Sequence, residues 1–309
     1  MSAVRPAERG TRDFASERIL AGICMVVLAV ACFSTLDAAT KISVNAVPIV
    51  MGVWFRYAFQ AVATTAVLLP AYGTSLLATA HPRYHMLRGA LLLTTSLFAF
   101  YSLRYMPLPE FTSIVLIAPL VITLLAATML KERVSALRWA LVCGGFIGTL
   151  VILRPGGDSF SWAILLPIGL VLTNSWFQLL TSKLARTENP LTMQFYTGWV
   201  GTLLASCALP FVWTALPSWH WWALLCLMGF MGTAGHFLLI LAYQRAAAST
   251  LTPYLYVQIG FAMFGGWLMF SHVPDTASLA GIGLIAICGA AGAWLTVKER
   301  RLPIEPAES

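Results

Sequence analysis

Apolar runs recur along nearly the whole chain, and each is closed by a charge, a proline or a glycine. They predict helices near 19–40, 48–70, 88–106, 111–130, 138–154, 160–182, 191–212, 221–244, 248–271 and 277–297. A helix needs about 20 apolar residues to cross the hydrocarbon layer of a bilayer. Between Asn189 and Gln244 there is no Asp, Glu, Lys or Arg, a stretch long enough for two such crossings. The run from Ile19 follows a polar, mixed-charge segment, so it reads as a retained first helix and not as a cleaved leader.

Charge placement tests the pattern independently. With the N-terminus inside and the chain alternating, 15 of the 19 cations fall on inner segments. Lys41, Arg104 and Arg154 fall on the outer side, and Arg56 falls within a span. Missing or adding one helix would scramble this bias, which predicts an even helix number with both ends cytoplasmic. The segment 210–222 has no cation and four tryptophans, as expected of an interfacial anchor on the outer side.

Composition agrees. The chain is 59% hydrophobic and 10% charged, against about 25% charged in soluble domains. The net charge of +7 comes from loop clusters, so nucleic acid is not an expected partner; the lipid bilayer is. Cys24, Cys32, Cys143, Cys207, Cys226 and Cys288 all lie in apolar runs and read as small buried hydrophobes. His81 and His85 stand four apart without a third ligand nearby in sequence, so no metal is expected. The chain holds no phosphate-cradling G-x-x-x-x-G-K, no H-E-x-x-H and no G-x-S-x-G.

The two halves match at an offset of about 140 residues: Ser34 with Ser175, Thr40 with Thr181, Phe55 with Phe195, Gly89 with Gly229 and Thr112 with Thr252. Five helices per half is an odd number, so the second half would enter the membrane inverted. The predicted fold class is therefore all-α integral membrane, ten transmembrane helices as two inverted five-helix repeats. Its parts are a cytoplasmic tail (1–18), a first repeat (19–155), a second repeat (160–297) and a second cytoplasmic tail (298–309). Inverted repeats hold substrate near the midplane between the halves.

Polar residues inside spans are costly and mark pathways; a charge at a helix centre costs about 2.5–3.5 kcal/mol on insertion scales. Asp37 and Arg56 are the formal charges well within spans. Lys41 follows Asp37 at i+4 and shares its face. The three form a candidate cluster on the outer half of a pathway, read as an external gate or a site for an anionic substrate group, or else as a structural ion pair tying the first helix to the second. In the second repeat Gln178 and Tyr196 answer Asp37 and Arg56. Nearer the midplane, His236, Tyr254 and Gln258 are candidate cavity residues, with Asn174 as a further polar candidate. His236 or Asp37 is a candidate carrier of a coupling proton, and no cofactor is expected. Pro119, Pro167 and Pro253 should kink or break helices.

Several ordered motifs carry a family resemblance. They are Leu36-Asp37-Ala-Ala-Thr-Lys41, Phe55-Arg56, Tyr101 to Pro107, Ala118-Pro119 and Lys131-Glu132 in the first half. In the second half they are Gly232-Thr-Ala-Gly-His236, Ala242-Tyr243, Ala246 to Ser249, Pro253 to Gln258, and Pro274-Asp275 through Gly289. The chain resembles EamA-type proteins of the drug/metabolite transporter superfamily over roughly 20–297. That resemblance implies a ten-helix secondary carrier of the cell inner membrane. Where the family often has a second Glu matching Glu132, this chain has His272. The Asp37, Lys41, Arg56 and His236 pattern resembles members that take up riboflavin or S-adenosylmethionine; other relatives export amino acids, metallophores or drugs. The leading expectation is thus a transporter of a small polar or zwitterionic metabolite, acting as a monomer or homodimer. The alternatives are a non-transporting scaffold or receptor, which would have a solid apolar core, and an intramembrane enzyme, which would need a reactive cluster on facing helices.

Overall fold

Apolar length and helix propensity decide different things in this chain, and the helix ends show it. The computed structural model describes residues 6–105, 111, 114–132, 134–153, 162–216, 218–270 and 276–301. The helices are α1 (Pro6–Ser43), α2 (Ile49–Tyr72), α3 (Pro82–Tyr105), α4 (Ala118–Met129), α5 (Ala136–Leu153) and α6 (Leu165–Leu184). They continue as α7 (Pro190–Ser206), α8 (Trp219–Tyr243), α9 (Ala248–Leu255), α10 (Val257–Phe270) and α11 (Thr276–Arg301). No strand occurs among the described residues. Helix α1 starts well before the apolar run at Ile19, so the expected tail 1–18 is largely helical: apolarity sets how much of a helix lies in lipid, not where its backbone bonds begin. Helix α3 likewise starts at Pro82, six residues before the expected 88.

The prolines act as their positions dictate. Pro119 sits in the first turn of α4, just after the break at Leu116–Ile117. Pro167 is in the first turn of α6, where a missing N–H is harmless. Pro253 lies inside α9, and the helix breaks at Tyr256 before resuming as α10. Thr112, Arg133, Arg154, His272, Pro274 and Asp275 lie outside the described residues.

Burial is turned inside out relative to a soluble bundle. Large apolar side chains face outward, among them Leu28, Val62, Val67, Leu203, Phe230 and Ile287. On α2, α3, α6, α7 and α8, by contrast, Arg56, Gln60, Arg88, Ser96, Thr181, Gln194 and His236 are buried. Lipid accepts the first set at no cost, and only the bundle interior accepts the second. Four helical segments, Glu17–Ser43, Pro82–Tyr105, Trp162–Leu184 and Trp219–Tyr243, are each long and apolar enough to cross a membrane. The same inversion corrects the reading of the cysteines. Only Cys288 is buried; Cys24, Cys143, Cys207 and Cys226 are exposed and Cys32 half-buried, all as free thiols. In a membrane protein an apolar run does not distinguish inside from outside.

Helix packing runs in pairs. Helix α1 lies along α8, and α3 along α6; α2 packs on both α7 and α8, and α3 also on α7. Helix α5 pairs with α11, α4 touches α6 and α9, and α1 touches α9 and α10. Small residues permit the closest crossings. A Cβ at Gly89 would fall 2.6 Å from Val200 Cβ on α7, and one at Gly229 would fall 2.5 Å from Phe59 Cβ on α2. At Gly198 the neighbour is backbone: a Cβ there would lie 2.8 Å from Ala61 N and 3.0 Å from Ala61 Cα. Helix α2 cannot move aside as a side chain could. Gly198→Ala should therefore destabilise the purified protein by about 1–3 kcal/mol, read as a lowered melting temperature in detergent. Gly283→Ala, where nothing lies within 4 Å, should leave that temperature unchanged or slightly higher.

Candidate functional site

A cavity opens among α1, α2, α3, α4, α6, α8, α9 and α10. Its polar lining is Asp37, Arg56, Thr95, Ser96, Asn174, Gln178, His236 and Gln258; its apolar lining includes Phe33, Leu92, Phe111 and Leu239. Six of the residues singled out in the sequence thus share one wall system: Asp37, Arg56, Asn174, Gln178, His236 and Gln258. The cost of placing such groups in lipid is the signal that marked them.

Local structure fixes each of them. Arg56, on the second turn of α2, donates from Nη1 to Ser96 Oγ at 2.7 Å and from Nη2 to His236 Nε2 at 2.9 Å. A guanidinium only donates, so Nε2 accepts and the neutral ring carries its proton on Nδ1. Phe33 and Phe177 flank that ring, with centroids 4.8 and 5.4 Å away. Ser96 also meets Tyr57 Oη at 2.9 Å, so one hydroxyl serves two residues of α2. On the facing side Gln258 Nε2 donates to Asp37 Oδ2 at 3.0 Å, tying the last third of α1 to the start of α10. Tyr243 donates to Gln178 Oε1 at 2.6 Å beneath the cavity.

The expected three-residue charge cluster does not form as drawn. Asp37 turns to Gln258, Arg56 to Ser96 and His236, and no Asp37–Arg56 ion pair occurs among the described residues. Lys41 Nζ donates to Leu103 O at 2.7 Å, at the far end of α3. Tyr254 lies outside the cavity lining: the break at Tyr256 puts it with Ile122, Ala126 and Leu251 in the core, so its i+4 spacing to Gln258 is not one helix face. Tyr196 is also outside it, donating to Leu77 O at 3.0 Å and stacking on His85.

Arg88 was assigned to a loop end by the charge pattern, and it is the main omission. It is fully buried in α3, with Nε donating to Thr181 Oγ1 at 2.8 Å and Nη1 to Met193 O at 2.9 Å and to Thr197 Oγ1. The stripe His85, Arg88, Leu92, Ser96 at spacings of three and four was the available signal.

The end of the bundle where α1 begins is closed by polar ties. Glu132 Oε1 accepts from Arg186 at 2.6 Å, while Oε2 accepts from Ser249 N, in the first turn of α9, at 3.1 Å. Glu188, between α6 and α7, meets His81 Nδ1 at 2.9 Å and His85 Nε2 at 3.5 Å. Burial alone would raise the Glu188 carboxyl. Hydrogen bonds from His81, Thr79 and His85, with the His85 charge, outweigh burial and hold it below the ordinary value of 4.5.

Geometry of this kind defines a multi-pass helical membrane protein that encloses a charged cavity. Residues 20–154 match the family model described as the EamA-like transporter family. The riboflavin transporter of Vibrio cholerae is 31% identical over 228 residues, 71% of this chain and 74% of that protein. The S-adenosylmethionine uptake transporter of Rickettsia prowazekii is 29% identical over 269 residues, 86% and 90% of the two chains. A pseudopaline exporter of Pseudomonas aeruginosa is 26% identical over 271 residues, 86% and 93%. One solved crystal structure superposes with a TM-score of 0.74 at 23% identity, covering 91% of this chain and 99% of that one, and shares the fold. The chain belongs to the EamA-like transporter family, within the drug/metabolite transporter superfamily. It is a membrane transporter of small metabolites and not an enzyme.

The depressed Glu188 carboxyl gives a pH signature. Its folded value lies below its unfolded one, so the stability it adds is complete above the ordinary value of 4.5 and is lost as pH falls through the depressed value. Melting temperature in detergent should therefore fall on acidification below that range. Glu188→Gln should lower it at neutral pH and flatten this acid limb; an unchanged limb would remove Glu188 as its source.

Proposed function

We propose that this chain is a secondary carrier that moves a small zwitterionic metabolite, of the S-adenosylmethionine kind, across the inner membrane by alternating access. The observation that carries the reading is a single cavity whose wall holds an anion, Asp37, a cation, Arg56, and the aromatic rings of Phe33, Phe111 and His236. A ligand with an ammonium or sulfonium, a carboxylate and a flat ring system complements all three. An uncharged flavin could hydrogen-bond Asp37 and Arg56 through its hydroxyls and ring carbonyls but would bring no charge to offset either. Among the described residues Asp37 is the one carboxylate in the cavity lining, which makes it the first choice for a coupling proton.

In this reading ten spans form two inverted repeats, 19–155 and 160–297, with α9 and α10 together making one span and both termini cytoplasmic. The packing supports the repeat. Exchanging the halves turns the α1–α8 pair into α6–α3 and the α2–α8 pair into α7–α3, while α2–α7, α5–α11 and α4–α9 map onto themselves. Gly89 against Val200 and Gly229 against Phe59 are related by the same offset. The cation bias of the loops supports the orientation. The cavity would then face the outside, and the ties of Glu132 and Glu188 would form the closed cytoplasmic gate.

The test is uptake of radiolabelled S-adenosylmethionine, with riboflavin as the second arm, in cells expressing the protein. Asp37→Asn and Arg56→Gln should each lower S-adenosylmethionine uptake at least about tenfold, about 1.4 kcal/mol, at unchanged membrane yield. Wild-type uptake by both variants would sink the charge-pair reading. Uptake of riboflavin that ignores both substitutions would replace the zwitterion with an uncharged substrate.

A further inference from the structure

Two buried arginines stand at similar depths from opposite ends of the bundle. Arg56 lies about 10 Å inside α2 from Ile49, and Arg88 about 9 Å inside α3 from Pro82, at about 1.5 Å per residue. Neither has a carboxylate partner among the described residues. Hydroxyls, one carbonyl and a histidine hold them. Between them stand two rings. Arg56 binds His236, His236 meets Phe177 edge-on, and Phe177 lies under the Arg88 guanidinium at 4.8 Å. Arg56 faces the cavity, whereas Arg88 is sealed beneath its floor.

A purely structural role explains only part of this. Arg88 does tie α3 to α6 and α7, but a neutral donor could make such a tie without burying a charge, which costs several kcal/mol when unpaired. Its Nη2 is also buried with no protein partner. Further buried polar atoms without partners continue from there toward the cytoplasmic end of the proposed topology, Ser182 Oγ on α6 and His85 Nδ1 on α3. An unpaired buried group costs about 1–3 kcal/mol, and these three lie on α3 and α6, helices that pack on one another.

We infer that Arg88 is a second anion-binding site on the pathway, closed in this conformation, which receives the anionic group of the substrate from Arg56 as the cytoplasmic end opens. Phe177 is the partition between the two sites. The inference rests on the carrier reading above and extends it, because Arg88 is not part of the cavity lining.

Cysteine reactivity tests it without a known substrate. In a background with all six native cysteines replaced, Thr197→Cys would sit beside Arg88 and Asn174→Cys would line the open cavity. Each is probed from both membrane faces with an anionic and a cationic methanethiosulfonate of similar size. The expected result is that Thr197→Cys reacts from the cytoplasmic face, at least tenfold faster with the anionic reagent. Adding Arg88→Gln should abolish that preference, while Arg88→Lys should keep it. Phe177→Ala should let the same cysteine react from the outer face. If Asn174→Cys reacts while Thr197→Cys stays silent or shows no charge preference, Arg88 is a structural tie and the inference is overturned. If Asn174→Cys is also silent from both faces, the cavity is not a pathway and the carrier reading itself falls. Should Arg88→Gln fail to reach the membrane, the charge preference in the parent and its retention in Arg88→Lys still decide the matter.

Discussion

A polar side chain buried in a membrane protein has no water to return to, and this fold is arranged around where such side chains can meet. Arg56 is the clearest instance. Its two terminal nitrogens reach Ser96 on the next helix, α3, and His236 on α8, so one residue of α2 joins neighbouring and distant parts of the sequence. Helix packing in lipid lacks the hydrophobic drive that assembles a soluble core and depends on close fit and interhelical hydrogen bonds. Gln60 to Gln194 O, Gln194 to Thr233 O, and Thr123 with Thr252 repeat the device elsewhere in the bundle. The cavity is what remains where these ties hold the helices but side chains do not fill the gap.

That constraint also decides what the sequence could reveal. Span positions were legible because lipid demands long apolar runs, and the described helices fall close to them. Helix ends were less so: Pro6 to Arg18 and Pro82 to Leu87 are helical without being apolar enough to count as span. Asp37, Arg56, Asn174, Gln178, His236 and Gln258 could be picked because each is expensive in lipid and has to face the interior. Spacing was a poorer guide than cost. Tyr254 and Gln258 at i+4 promised one face until the break at Tyr256 separated them, and Lys41 at i+4 from Asp37 reaches the Leu103 carbonyl instead. Arg88 was lost to a rule that is usually sound, since cations near span ends normally belong to cytoplasmic loops. Once α3 is seen to begin at Pro82, the same residue lies inside the helix, and its burial follows from the turn it occupies.

The ties at the end of the bundle where α1 begins bear on how the proposed carrier would turn over. At the end where α1 begins, charged groups do the holding: Glu132 with Arg186 and the first turn of α9, and Glu188 with two histidines. At the other end Lys41 donates to Leu103 O and Trp54 to Ser206 Oγ. Arg186 is half exposed, so its bond to Glu132 is worth no more than an ordinary surface pair, about 0–1 kcal/mol. A gate built from a few such bonds is strong enough to define one state and weak enough to yield. Reversing a two-state preference from 1:99 to 99:1 needs a difference in binding of about 5.5 kcal/mol between the states. A ligand that meets only Arg56 in one state, and meets Arg88 in the other, has a physical source for part of that difference. A ligand bound equally in both states has none, however tightly it is held, and would leave the gate where it is.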